Sequence, residues 1–143
     1  MRVVPDTNIW VTWLGTAPRG FPLQGGGRAR VFVTTIVLQE LWAGVRTAAE
    51  RASCERLYEL ARRRHRLLVP PGPAWILSGQ ALNLLARRGR LGAARLRALR
   101  NDVLLAATAF AHGAAVVTDN TEDFERIARV LPVRVLGSAA FGS

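Results

Sequence analysis

Ten carboxylates face twenty arginines in this 143-residue chain, and lysine is absent. The acids are the scarce residues, so their positions carry information. Asp6 ends the apolar run Arg2 to Pro5 and is followed by Thr7-Asn8. Glu40 lies within TTIVLQELWAG, Asp102 within NDVLLAATAFAHGAAVVT, and Asp119, Glu122 and Asp123 within TDNTEDF. If Asp6, Glu40, Asp102 and the Asp119 to Asp123 acids meet, they repel one another unless a cation neutralises them. Hard divalent ions with oxygen ligands, Mg²⁺ or Mn²⁺, suit such a set. Cys54 is the one cysteine, and neither His65 nor His112 falls among the acids, which argues against zinc and metal-thiolate chemistry. Metal-assisted hydrolysis of a phosphodiester is the chemistry that fits both the acids and the basic background.

Whether the acids meet depends on the elements that carry them. Asn101 to Phe124 is the most legible stretch. Asn101 can cap a helix, with Asp102 in its first turn where the helix dipole favours an anion. Val103 to Ala111 is apolar and alanine-rich and reads as a buried helix. His112-Gly113 ends it, with the glycine able to take a left-handed cap. Ala114 to Thr118 reads as a buried strand. A helix of about ten residues runs roughly 15 Å, and a strand of about five runs roughly 16 Å. Antiparallel to each other, they bring Asp102 level with Asp119 at the carboxyl edge of a sheet, where open α/β sheets carry their sites.

The rest of the chain supplies the partners. Arg2 to Pro5 reads as a short strand, with Pro5 suited to its end. Asp6-Thr7-Asn8 then offers capping chemistry for a helix over Ile9 to Leu14, with Thr7 and Asn8 placed to fix the Asp6 carboxylate. Asp6 as a helix cap alone is the plainer alternative. Gly15 to Arg30 reads as a loop; its Gly25 to Gly27 run lacks the GK[ST] of a phosphate-binding loop. Val31 to Val33 reads as a strand, Thr34 or Thr35 as a cap, and Ile36 to Thr47 as a helix that carries Glu40 near its start. The alternative for Glu40 is an exposed position on the helix face. Ala48 to Arg64, Trp75 to Arg88 and Ala93 to Arg100 read as helices, Leu67 to Val69 and Val133 to Leu136 as strands, and Phe124 to Val130 as a further helix. Alternating strands and helices imply an α/β fold, a three-layer α/β/α sandwich with a mostly parallel central sheet. Residues 1–143 are expected to form a single domain.

The formal net charge of +10 favours polyanionic partners. The arginine run from Arg62 to Arg66 around His65 reads as a solvated helix end, with RNA contact as the second choice. Trp10 and Trp13 suit either a partner surface or the core, and Trp42 and Trp75 suit the core. The start, MRVVPDTN, turns polar at residue six, and no apolar run is long enough to span a bilayer. A cytoplasmic protein without membrane association is expected.

These four motifs, in this order and at this length, resemble the PIN-domain ribonucleases, and within them the VapC-type toxins of type II toxin–antitoxin pairs. The resemblance covers nearly the whole chain. It implies a PIN-like fold and a Mg²⁺- or Mn²⁺-dependent endoribonuclease that cleaves RNA. Asp6, Glu40 and Asp102 match the family's most dependable acids. The resemblance makes Asp6 and Asp102 direct metal ligands, with Glu40 holding metal-bound water or a second ion. Thr7 and Thr118 match hydroxyls that support the acids. In the family's final motif Asn120 and Asp123 fill the defined positions, whereas the strand argument favours Asp119. Asp119 and Asp123 therefore share the expectation for the fourth acid, with Asn8 and Asn120 in support. A cognate antitoxin and a homodimer are the implied partners. Pro5, the glycine-rich Gly15 to Arg30 and the arginines of Arg95 to Arg100, which extend the approach to Asp102, depart from the family pattern and are expected not to touch the acids. A haloacid-dehalogenase-type phosphatase would need a second aspartate at position 8, which is Asn8. A housekeeping RNA-processing PIN nuclease and a non-catalytic RNA- or partner-binding module are the remaining alternatives.

Overall fold

A computed structural model of the chain describes residues 1–16 and 29–140. Strand β1 (Arg2–Pro5) leads through Asp6 into helix α1 (Thr7–Thr16). Most of the expected Gly15 to Arg30 loop lies outside the described residues; Gly15 and Thr16 instead close α1. Strands β2 (Arg30–Val31) and β3 (Val33–Thr34) follow, then helices α2 (Thr35–Ala43) and α3 (Ala48–Arg63). Strand β4 (Leu67–Leu68) leads to helix α4 (Gly72–Gly89), and a short turn leads to α5 (Ala93–Ala111). Strand β5 (Ala114–Val117), helix α6 (Thr121–Ala128) and strand β6 (Val135–Leu136) complete the order.

The sheet runs β2-β1-β5-β6 with every pairing parallel, and β3 pairs with β4 in a second parallel ladder. The expected Val31 to Val33 strand is thus divided at Phe32. The Phe32 N–H bonds the Val3 carbonyl at 2.9 Å, while the Val33 N–H bonds the Arg66 carbonyl at 2.9 Å. Successive N–H groups of an extended chain point to opposite sides. One segment therefore serves β1 on one flank and β4 on the other, and the two ladders join through it. Helices cover the parallel sheet, as its buried strands require: β5 is buried along its whole length.

One continuous helix, α5, replaces the two expected on either side of Asn101. Leu96, Leu99, Val103 and Ala106 or Ala107 keep the three-to-four-residue spacing of one helical face. That stripe crosses Asn101 in phase, and an asparagine inside a helix costs only about 0.5 kcal/mol. Asn101 is therefore no cap, and Asp102 sits mid-helix rather than in a first turn. The end of α5 follows expectation: Gly113 adopts φ +64° and reverses the chain into β5.

Among the tryptophans, Trp10 is fully buried and meets Trp13 edge-on at 5.3 Å. Trp42 and Trp75 are not core residues; they are 38% and 58% exposed, because each falls on the outer side of its amphipathic helix. None of the helices among the described residues is long and apolar enough to cross a membrane.

Candidate active site

The carboxyl ends of β1 and β5 lie side by side, with Pro5 paired to Val117. Just beyond them, the Asp6 N–H continues the ladder to the Val117 carbonyl at 2.9 Å. This fixes the Asp6 backbone at the sheet edge, and the carboxylate is fixed separately. One oxygen accepts the Ile9 N–H at 3.1 Å, capping α1, and the other accepts the Thr118 hydroxyl at 2.5 Å. Asp6 is thus a helix cap and, at the same time, a buried acid at the edge; the two readings of it are compatible.

Thr118 is itself fully buried, and its oxygen also accepts the Asn120 N–H at 2.9 Å. That bond sets the turn from β5 into α6. Thr7 does not serve Asp6. Its hydroxyl donates to Glu40 at 3.1 Å, linking the start of α1 to α2. Glu40 is exposed otherwise. The Thr34 hydroxyl caps α2 by accepting the Val37 N–H at 3.2 Å, which holds the turn that carries Glu40. The side chain of Asn8 takes no part in fixing Asp6.

Asp102 projects from the middle of α5 into the same region. Burial first, then the charges of Glu40, Asp6 and Asp123, push its carboxyl up from 3.8 to about 6, while Arg95 opposes them. Asp6, Glu40 and Asp123, each on or capping a different helix, therefore lie close enough to act on Asp102. Asp123 belongs to them. It lies in the first turn of α6, accepts the Asn120 side-chain amide at 3.1 Å and pairs with Arg95. Asp119 does not join them. Its carboxylate accepts the Ser138 hydroxyl at 2.5 Å and the Ser138 N–H at 3.3 Å, so it anchors the turn after β6. Side chains alternate along an extended chain: with Thr118 turned inward, Asp119 faces away, and α6 brings Asp123 back.

Arg95 is the participant to which sequence reasoning gave no role at the acids. Seven residues make about two helical turns, so Arg95 and Asp102 share one face of α5. The spacing was readable, but only once α5 is seen as a single helix.

The donor set fits a hard divalent cation. Every candidate ligand is a carboxylate oxygen, and burial together with the neighbouring like charges raises the Asp102 carboxyl, a bias that a bound cation would reverse. Among the described residues no group of three His, Cys, Asp or Glu side chains stands as a ready-made cage.

Comparison with known proteins agrees with this fold. The family model for the PIN domain matches residues 3–130. A chain in the crystal structure of DNA-bound VapBC from Salmonella typhimurium is 25% identical, with 96% of this chain and 98% of that chain covered and a TM-score of 0.69. VapBC-1 from nontypeable Haemophilus influenzae gives 21% identity, coverage of 97% and 99%, and a TM-score of 0.68. VapBC-5 from Mycobacterium tuberculosis, a member of the VapBC family of toxin–antitoxin systems, gives 24%, 95% and 98%, and 0.60. No curated protein matches in sequence.

Proposed function

The chain belongs to the PIN-domain family, and on that premise we propose that it is a metal-dependent endoribonuclease acting as the toxin of a toxin–antitoxin pair. The observation that carries the nuclease reading is the placement of Asp6, Glu40 and Asp123 around Asp102 near the carboxyl edge, where burial first and then these three charges raise the Asp102 carboxyl to about 6. The toxin reading rests on the similarity to VapBC chains along almost their whole length. A protein antitoxin, a homodimer and a cytoplasmic location belong to the same proposal.

Asp6 and Asp102 are the proposed direct ligands of Mg²⁺ or Mn²⁺, with Glu40 and Asp123 at the margin of the site. An ion held by these residues would supply Lewis-acid chemistry at a water and at the phosphate oxygens. The chain's own residues provide the frame. Thr118 and the Ile9 N–H hold the Asp6 carboxylate in one orientation, and Thr7 holds Glu40. Arg95 restrains Asp123 and offsets part of the negative field. The other arginines attract and position the RNA backbone without reading its sequence.

The test is cleavage of single-stranded RNA by purified protein in Mg²⁺ or Mn²⁺, with chelator and Asp6→Ala and Asp102→Asn controls. Cleavage should require the ion and vanish in both variants. Equal cutting by Asp102→Asn in Mg²⁺ would sink the site assignment. Loss of growth inhibition when the cognate small protein is co-expressed tests the toxin reading separately.

A further inference from the structure

A groove of about 710 Å³ opens between α2, α4 and α5, lined among others by Gln39, Trp75, Leu82, Arg100, Asn101 and Leu104. Gln39 and Asn101 immediately precede Glu40 and Asp102 in their helices. Consecutive helical residues point about 100° apart, so this groove flanks the acid cluster on both helices that carry it. Its floor is apolar, with Leu104 buried and Leu82 half-buried. Its rim is polar: among the described residues the side chains of Gln39, Arg100 and Asn101 engage in no hydrogen bond or ion pair within the protein.

Trp75 is 58% exposed at the start of α4, so a large aromatic ring is left open beside an unpaired arginine and two unpaired amides. Single-stranded nucleic acid is held by this combination. Bases stack on aromatic faces, amides meet base edges, and arginines meet phosphates. A net charge of +10 draws a polyanion to the surface, and the neighbouring acids define where its scissile phosphate would lie.

We propose that this groove is a nucleobase subsite: Trp75 stacks the base next to the cleaved phosphodiester, Gln39 and Asn101 meet its polar edge, and Arg100 holds the adjoining phosphate. The proposal rests on the nuclease reading for its substrate class, and the experiment separates the two. A fluorescent six-nucleotide single-stranded RNA is titrated into the full-length Asp102→Asn protein in chelator, with Trp75 intact, Trp75→Ala or Trp75→Phe. Trp75→Ala should weaken binding about tenfold, the scale of one lost stacking contact, and Trp75→Phe should recover most of it. Arg100→Gln should weaken binding and flatten its salt dependence. In the cleaving parent, Trp75→Ala should raise KM with kcat little changed and should alter which nucleotide flanks the cut. Unchanged RNA affinity in Trp75→Ala overturns the subsite. So does a result in which Trp75→Ala only dissociates a dimer or releases a protein partner while RNA binding stays intact. Trp75-dependent binding without any metal-dependent cleavage would keep the subsite and remove the nuclease reading.

Discussion

Arg95 pairs with Asp123 across 28 residues of sequence, tying the first turns of α5 to the first turn of α6. The pair brings a cation to the rim of a region that otherwise gathers carboxylates. Its guanidinium opposes the rise of the Asp102 carboxyl, and its partner contributes to that rise. The pair is partly exposed, with the Arg95 side chain at 45%. Its contribution to folding is therefore small, about 0–1 kcal/mol after solvent screening. Its larger effect is on the charge of the site.

Replacing Arg95 with glutamine should therefore move the Asp102 carboxyl further above about 6, with little loss of stability. Carbon-13 NMR titration of the metal-free protein reads this directly. A titration midpoint that stays put or falls would show that Arg95 does not act on Asp102.

The raised Asp102 carboxyl also sets how stability depends on pH. Its folded value, about 6, lies above the ordinary 3.8, so the folded state binds the proton more tightly than the unfolded chain. Stability of the metal-free protein should thus fall as pH rises from about 4 to about 6 and then level off. A shift of roughly 2 units sets an upper bound of about 3 kcal/mol on that loss. Asp102→Asn removes the ionising group, and above pH 6 it should melt several degrees higher than the parent in chelator. Calorimetry at pH 5 and pH 7.5 checks both parts; a variant less stable than the parent at pH 7.5 contradicts the charge argument.

The sequence disclosed most of the element order because apolar runs, caps and the Gly113 reversal are local signals. The grouping of Asp6 and Glu40 around Asp102 was legible because each sits at the start or early turns of an element, or on an apolar helix that aims it. Local capping chemistry misled at Asn101, where the in-phase stripe from Leu96 to Val103 outweighs a weak helix breaker. Strand arithmetic misled at Asp119. It places a backbone at the edge but not the side chain's face, and Ser138 is a distant partner that no spacing reveals. Helix type was legible for Trp42 and Trp75, but which side of the helix faces the sheet was not.

Thr118→Val should be costly for its size. The hydroxyl donates to Asp6 and accepts from the Asn120 N–H, and the residue is fully buried. Removing it strands a carboxylate oxygen and a backbone donor, a loss of about 2 kcal/mol. Thr118→Ser should keep most of that. Chemical denaturation compares them, and equal midpoints for valine and threonine would mean that the hydrogen bonds contribute nothing net.

The same substitution should act in opposite directions at two glycines. Gly113 holds φ +64°, where a Cβ is strained, so Gly113→Ala should cost about 1 kcal/mol despite open space around it. Gly79 lies inside α4 with nothing within 4 Å of a new Cβ, so Gly79→Ala should stabilise by up to about 1 kcal/mol. Thermal melts of the two variants beside the parent should bracket it.

Asp119 and Asp123 stand four residues apart and should part company in function. Asp123 meets Arg95 and acts on Asp102, whereas Asp119 holds Ser138. On the proposed function, Asp123→Asn should lower RNA cleavage by at least about tenfold and weaken Mn²⁺ binding, because it withdraws a charge from the edge of the proposed ion site. It should also lower the Asp102 carboxyl, since one repelling neighbour is gone. Asp119→Asn should leave cleavage within a few-fold of the parent and loosen the turn after β6, seen as faster amide exchange around Ser138. Cleavage rates and calorimetric Mn²⁺ titrations of both variants decide it. If Asp119→Asn abolishes cleavage while Asp123→Asn cuts normally, the fourth acid is Asp119, and the carboxylate that the fold turns towards Ser138 must turn back when substrate and metal bind.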